Sequence, residues 1–254
     1  MSTPTIIVAA HKPYWMPDDP LYLPVQVGAA GKESIPHFQR DDEGDNISTE
    51  NNHYCELTGL YWAWKNLDAP AIGLAHYRRH FAGSGEKGVL TSSEAQDLLV
   101  KAPVVLPKKR KYYIETLESH YANTLDGAHI DFIRDALSDV APDYLANFNH
   151  HMKQTGGHMF NMMLMRKDLL DEYCSWLFPV LKTAEKHLDY GQLSPFEARV
   201  PGRMSEYLLD TWLEKNSVPF IEAPLKNIEP VSWIKKGSSF LAAKYSGKKY
   251  KASF

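Results

Sequence analysis

"AIGLAHYRRHF" (residues 71–81) starts as a buried strand and breaks into an aromatic residue wedged among cations. Ala71, Ile72, Gly73, Leu74 and Ala75 suit the interior of a sheet. His76, Tyr77, Arg78, Arg79 and His80 cannot all follow them there without partners, because a buried unpaired guanidinium is very costly. "TIIVAAHKPY" (5–14) repeats the pattern, with an apolar strand over 5–10 ending in His11 and Lys12. In open parallel sheets ligands bind beyond the carboxyl ends of the strands, so both segments are expected to face one crevice. That crevice would be cationic and would suit a phosphorylated ligand, with arginine able to contact phosphate through two parallel hydrogen bonds. The bland alternative is that Arg78 and Arg79 pair with acids such as Glu56 or Asp45.

Outward from these strands the chain alternates. "LYLPVQVGAAG" (21–31) reads as a second strand, and residues 31–50 as a polar loop long enough to suspect function. "NNHYCELTGLYWAWKNL" (51–67) has helical spacing over 51–66, "SSEAQDLLV" (92–100) is a capped helix, and "APVVLP" (102–107) is a strand. Residues 115–150 are mostly helical with a break at Pro142. A strand over 158–165 precedes a long helix that is expected to bend or break near Pro179. "GRMSEYLLDTWLEKN" (202–216) is another helix and "VPFIEAPL" (218–225) a late strand. The alternation implies an α/β layered domain on a largely parallel sheet.

Composition sets the bounds. With 254 residues, 44% hydrophobic and 12% aromatic, the chain can bury the core of one large domain or two small ones. A net charge of -3 argues against a general nucleic-acid binder. The two cysteines, Cys55 and Cys174, read as buried thiols, with a reducing compartment as the default. No secretion signal and no run of about 18 apolar residues is present, so the expectation is a soluble protein or one attached to a membrane surface.

Motifs exclude several chemistries. GxxxxGK[ST], a GxGxxG after the first strand, GxSxG and HExxH are all missing, which disfavours nucleotide hydrolases, dinucleotide oxidoreductases, α/β-hydrolases and zincins. "NHHMKQTGGH" (149–158) reads as a loop of solvated histidines rather than a metal site. In "RVPGRMSEYLLDTWL" (199–213), Arg199 and Arg203 precede a helix whose start carries Ser205 and Glu206. Glu206 is then either a cap stabilised by the helix dipole or a general base beside a cationic donor site.

"AHKPYWMP", "GDNISTENNHYCELTGLYWAWKN", "GLAHYRRHF", "FNMMLMRKDLLDEYCSWLF", "RVPGRMSEYLLDTWL" and "SFLAAKYSGKKYKASF" together resemble the DUF4422 family, from residue 6 to the C-terminus. This is a bacterial family from capsular, exopolysaccharide and O-antigen gene clusters, with a founding member assigned as a galactofuranosyltransferase and a fold similar to GT-A glycosyltransferases. The resemblance implies a GT-A-like α/β domain over 1–232, with a Rossmann-type sheet flanked by helices. It implies inverting transfer of a hexose, galactofuranose first, from a UDP-sugar to a glycan or lipid-linked glycan hydroxyl.

On that reading Glu206 is the base, and His76, Arg78 and Arg79 stabilise the departing UDP. His11, Lys12, Asp45, Asn46, Ser48, Asn51, Tyr77, Arg199 and Arg203 bind the donor, and His158 and Asn161 shape the acceptor side. GT-A enzymes usually hold a divalent metal with Asp-x-Asp at the strand end where His76-Tyr77-Arg78 stands here. No metal site is assigned, although histidine can ligate Mn²⁺, so Mn²⁺ or Mg²⁺ stays open. The rival is a non-catalytic glycan- or nucleotide-binding subunit of a polysaccharide assembly.

The tail, 233–254, interleaves Lys235, Lys236, Lys244, Lys248, Lys249 and Lys251 with Trp233, Phe240, Tyr245, Tyr250 and Phe254. It suits peripheral contact with an anionic membrane at the inner face of the cell, or else its aromatics pack back on the domain.

Overall fold

A computed structural model describes residues 3–229. In chain order it contains β1 (Thr5–Ala10), β2 (Tyr22–Gln26), β3 (Gln39–Arg40), α1 (Asn51–Tyr54), α2 (Leu57–Asn66), β4 (Ala71–His76), β5 (Arg79–Phe81), α3 (Ser92–Lys101) and β6 (Val104–Pro107). Then follow β7 (Arg110–Lys111), α4 (Leu117–Thr124), α5 (Ala128–Val140), α6 (Leu145–Met152), β8 (Gly156–Gly157), β9 (Met163–Arg166), α7 (Lys167–Ala184), α8 (Val200–Lys215), β10 (Phe220–Ala223) and β11 (Leu225–Asn227).

The main sheet runs β10-β6-β9-β4-β1-β2-β3, with β5 and β11 extending from the end of β4. β1 lies parallel to β2 and β4, and β6 parallel to β10, as the alternation of strands and helices requires. Side chains along β1 alternate between two cores. Ile7 and Ala9 pack with Leu60, Tyr173 and Leu208 on one face, whereas Ile6 and Val8 pack with Ala95 and Leu164 on the other. A strand covered on both faces needs no polar positions, which is why "IIVAA" reads as a continuous apolar run.

Four local features differ from the sequence reading. β9 is antiparallel to both neighbours, β4 and β6, because an apolar run carries no information about strand direction. Residues 71–81 form a hairpin rather than one strand: the chain reverses at Tyr77-Arg78 and β5 pairs back on β4. The expected helix over 51–66 is interrupted at Cys55, whose φ of 54° and ψ of -131° take it out of the helix before α2 begins. α7 runs unbroken through Pro179. That proline and Ser175, one turn earlier, are both exposed, so water can serve the carbonyl the ring leaves without a donor.

The histidines of 149–158 do not form a solvated loop. His150 is exposed, but His151 and His158 are buried. His80 is also buried, edge-on to Trp15 and Tyr22, and burial pushes its pKa down to about 4. It enters the core by staying neutral. Both cysteines are free thiols, and Cys174 is fully buried.

Candidate active site

The carboxyl ends of β1 and β4 lie side by side, with Ala9 paired to His76 and the Tyr77 N–H donating to the Ala9 carbonyl at 3.3 Å. Beyond them opens a cleft of about 940 Å³. Its walls are the ends of β1 and β2, the segment through α1 to Glu56, the β4–β5 turn, Phe160, residues from 193 to 199, and Glu206.

One wall is cationic. The Tyr77 ring anchors it, with His11 and Tyr14 edge-on at 5.4 and 4.8 Å and the charges of Lys12 and Arg78 at 5.9 and 5.0 Å from its centre. Arg78 stands half-exposed at the hairpin tip and its acidic partner is Glu229, at 3.4 Å, rather than Glu56 or Asp45. Arg79 lies over the Phe160 ring at 3.7 Å and donates to Asn227 Oδ1 at 3.4 Å. Arg199 Nε donates to Cys55 Sγ at 3.0 Å. The field is strong enough to be felt by His11: burial first, then Lys12 and Arg78, push it below its ordinary value.

The facing wall carries carboxylates. Glu206 lies past the first turn of α8, too far along to cap it, and its Oε2 instead accepts the Phe160 N–H at 3.0 Å. Burial pushes its pKa up to about 7, opposed by the Phe160 N–H and by Arg110 and Arg79, and reinforced by the charge of Glu56. Glu56 accepts from Asn161 Nδ2 at 2.8 Å and stands 4.0 Å from His76 Nε2.

Between the walls the backbone is strained. Phe160 and Asn161 both have positive φ, 79° and 53°, and so does Cys55, which also lines the cleft. Such positions persist only when their surroundings over-determine them, and they gather at functional sites. Here the surroundings are the site itself. The Phe160 N–H is held by Glu206, and its carbonyl accepts from His76 Nε2 at 2.6 Å. Asn161 donates to Glu56 and to the Gly202 carbonyl, and accepts from Ser205 Oγ at 2.7 Å.

Of the residues singled out in the sequence, His11, Asn51, His76, Tyr77, Arg78, Arg79, Arg199 and Glu206 line the cleft. Lys12 stands beside Tyr77, and Asn161 reaches the cleft through Glu56. Asp45, Asn46 and Ser48 lie outside the lining. Asp45 is tied to α2 by Asn66 and Tyr61, Asn46 closes on Gly44 and Ser48, and Ser48 is buried against Asp41 at 2.5 Å. Asp41 also accepts from Gly28, Ala29 and Thr58, so this loop is organised around a buried carboxylate. Arg203 donates to the Phe196 carbonyl at 2.5 Å, and His158 is buried between Asp210 and Glu222, both away from the lining. Sequence reasoning used Glu56 only as a possible partner for arginine and passed over Phe160. Read as one helix, 51–66 puts Glu56 on a solvated face, and read as one strand, 158–165 gives no reason for a turn at Phe160.

The donors at the end of β4 do not suit a divalent cation. His76 spends Nε2 on a carbonyl, and two guanidiniums stand where acidic ligands would be needed. Among the described residues, Glu50, His53 and Glu185 do converge beside the cleft. Glu185, however, already accepts from Tyr54 and Tyr190 and pairs with Lys182 at 3.0 Å.

The mixed α/β sheet and its likeness to a solved glycosyltransferase give the chain a GT-A-like glycosyltransferase fold. The chain belongs to the DUF4422 family, described as a domain of unknown function, whose model matches residues 5–217. Its structure is similar to the apo structure of WbbM, a bifunctional glycosyltransferase, with a TM-score of 0.82 and 25% identity over 90% of this chain and 46% of that one. The chain thus spans about half the length of WbbM. No curated protein matches the sequence.

Proposed function

We propose that this protein is an inverting hexosyltransferase that moves a sugar, galactofuranose first, from UDP to a glycan or lipid-linked glycan hydroxyl in bacterial surface polysaccharide synthesis. The work would be done at the inner face of the cell membrane. The observation that carries this reading is the Glu206 carboxylate set opposite a cationic wall in one cleft of a GT-A-like fold, where burial pushes its pKa up to about 7. A base poised near the working pH accepts a proton readily and is available unprotonated.

In the proposed reaction the acceptor oxygen attacks the anomeric carbon from the face opposite UDP and gives its proton to Glu206. The anomeric C–O bond to the diphosphate breaks, and its electron pair leaves with UDP. Arg78, Arg79, Arg199, His11 and Lys12 receive the developing charge, taking the part a metal plays elsewhere. His76 and Glu56 hold the floor of the site through Phe160 and Asn161. Two carboxylates in unlike surroundings thereby take different tasks.

The test is a panel of nucleotide-sugar donors with glycan acceptors, read as released UDP, with and without EDTA. Transfer from one UDP-hexose that survives EDTA is the expected result. Binding of UDP-sugars without UDP release would favour a non-catalytic binding subunit, and loss in EDTA restored by Mn²⁺ would overturn the metal-independent step.

A further inference from the structure

Glu206 and Asp210 stand four residues apart on α8, so their side chains project from one face of the helix. Both accept backbone N–H groups from the same turn. Glu206 takes that of Phe160 at 3.0 Å, and Asp210 takes that of His158 at 2.9 Å. Asp210 also binds the His158 ring, through Nδ1 at 2.5 Å, and His158 Nε2 lies 3.1 Å from Glu222 Oε1. His158 and Asp210 are almost fully buried, and neither lines the donor cleft. Asp210 opens instead onto a second cavity of about 650 Å³.

We propose that Asp210 and His158 form a positioning clamp that holds the strained Phe160–Asn161 turn in register with Glu206. A buried polar pair is a poor source of stability, since a hydrophobic pair of similar size does as well. Direction is what this one supplies. It fixes the chain two residues before Phe160, whose N–H holds the base and whose carbonyl holds His76. The fit is close: a Cβ on Gly157 would meet Asp210 Oδ2 and His151 Cε1 at 3.2 Å. Asp210 and His158 touch neither donor nor acceptor in this reading, so they are positioning residues.

The clamp rests on the reading of Glu206 as base, and the test separates the two. In Asp210→Asn the Phe160 N–H should loosen from Glu206. kcat/KM should then fall by about 100-fold, as a displacement of roughly 1 Å can cause, with donor KM little changed. Because that N–H lowers the Glu206 pKa, the rise of kcat/KM with pH should move upward from about 7. Glu56, Arg79, Arg110, Arg199 and Arg203 also face Glu206 and are unaltered in the variant.

A folded Asp210→Asn enzyme with an unmoved pH profile would overturn the clamp, even if its melting temperature falls. Full activity in Glu206→Gln would instead overturn the reading beneath it. Should Asp210→Asn not fold, His158→Asn, which keeps a donor near Nδ1, is compared with His158→Leu. Greater activity in the first than in the second, with the upward pH shift confined to the second, supports the clamp, and equal behaviour rejects it.

Discussion

Glu206 binds its proton more tightly in the folded chain than in the unfolded one, with a pKa of about 7 against an ordinary 4.5. Between those values the native state holds more protons, so this group's contribution to stability falls as pH rises through that window. Above it, the ionised carboxylate destabilises the fold. Glu206→Gln should therefore be more stable than the wild type at pH 8, by about 1–3 kcal/mol, with the advantage gone below pH 4.5. Urea unfolding at the two pH values checks it, and equal stability at both would mean that the carboxylate ionises as in water. The same variant should lose about 10²–10⁴ in kcat. Stability up and activity down in one substitution is the mark of a strained active site. Arg78 differs because its side chain is half-exposed and its pairing with Glu229 is worth about 0–1 kcal/mol. Arg78→Ala should leave the melting temperature almost unchanged while kcat/KM falls by about 10–100-fold, the worth of a charge-assisted hydrogen bond. Unchanged turnover would remove Arg78 from the site.

α8 carries its glutamate into the cleft by packing closely on the interruption at Cys55. A Cβ on Gly202 would stand 3.0 Å from Cys55 Sγ and 3.1 Å from the Tyr54 carbonyl oxygen. Gly202→Ala improves helix propensity by about 1 kcal/mol, whereas overpacking costs about 1–3 kcal/mol. The Gly202 carbonyl also fixes Asn161 and Ser205. The expected outcome is a net loss of about 1–2 kcal/mol in chemical denaturation together with reduced turnover. A gain near 1 kcal/mol would show that the two helices part without strain. The β4–β5 hairpin works in the opposite sense, because its reversal leaves Arg78 at the tip and tucks Arg79 against Phe160. Adjacent arginines thus have different exposure, Arg78 exposed at the tip and Arg79 packed on the floor, while both line the cleft.

The whole chain raises the question of where such an enzyme meets its acceptor. Among the described residues no helix is long and apolar enough to cross a membrane. The basic aromatic tail, 233–254, lies outside the described residues, as does the proposed domain boundary at 232. Its lysines nevertheless give a testable expectation, since each adds about 1 kcal/mol near an anionic surface. The full chain should sediment with phosphatidylserine vesicles at low salt and release at high salt, and a chain ending near residue 232 should not bind. Equal binding by both would refute a role for the tail.

Apolar runs, turn residues and charge are local properties, and they were enough to place β1, β2, β4, β6, β9 and β10, most helices and the two cationic strand ends. Those ends, with His76 and Arg78, meet in the cleft because a parallel pair brings equivalent ends together, and α8 carries Glu206 to them. Tertiary structure alone decided the direction of β9, the exit of Cys55 from the helix, the Phe160–Asn161 turn and the withdrawal of Asp45, Asn46 and Ser48 from the site. Each depends on partners far away in sequence: Asn161 is held by Glu56, 105 residues earlier, and Phe160 by Glu206, 46 residues later. A phenylalanine at positive φ is unfavourable by every local preference, and it persists because distant hydrogen bonds outweigh that cost.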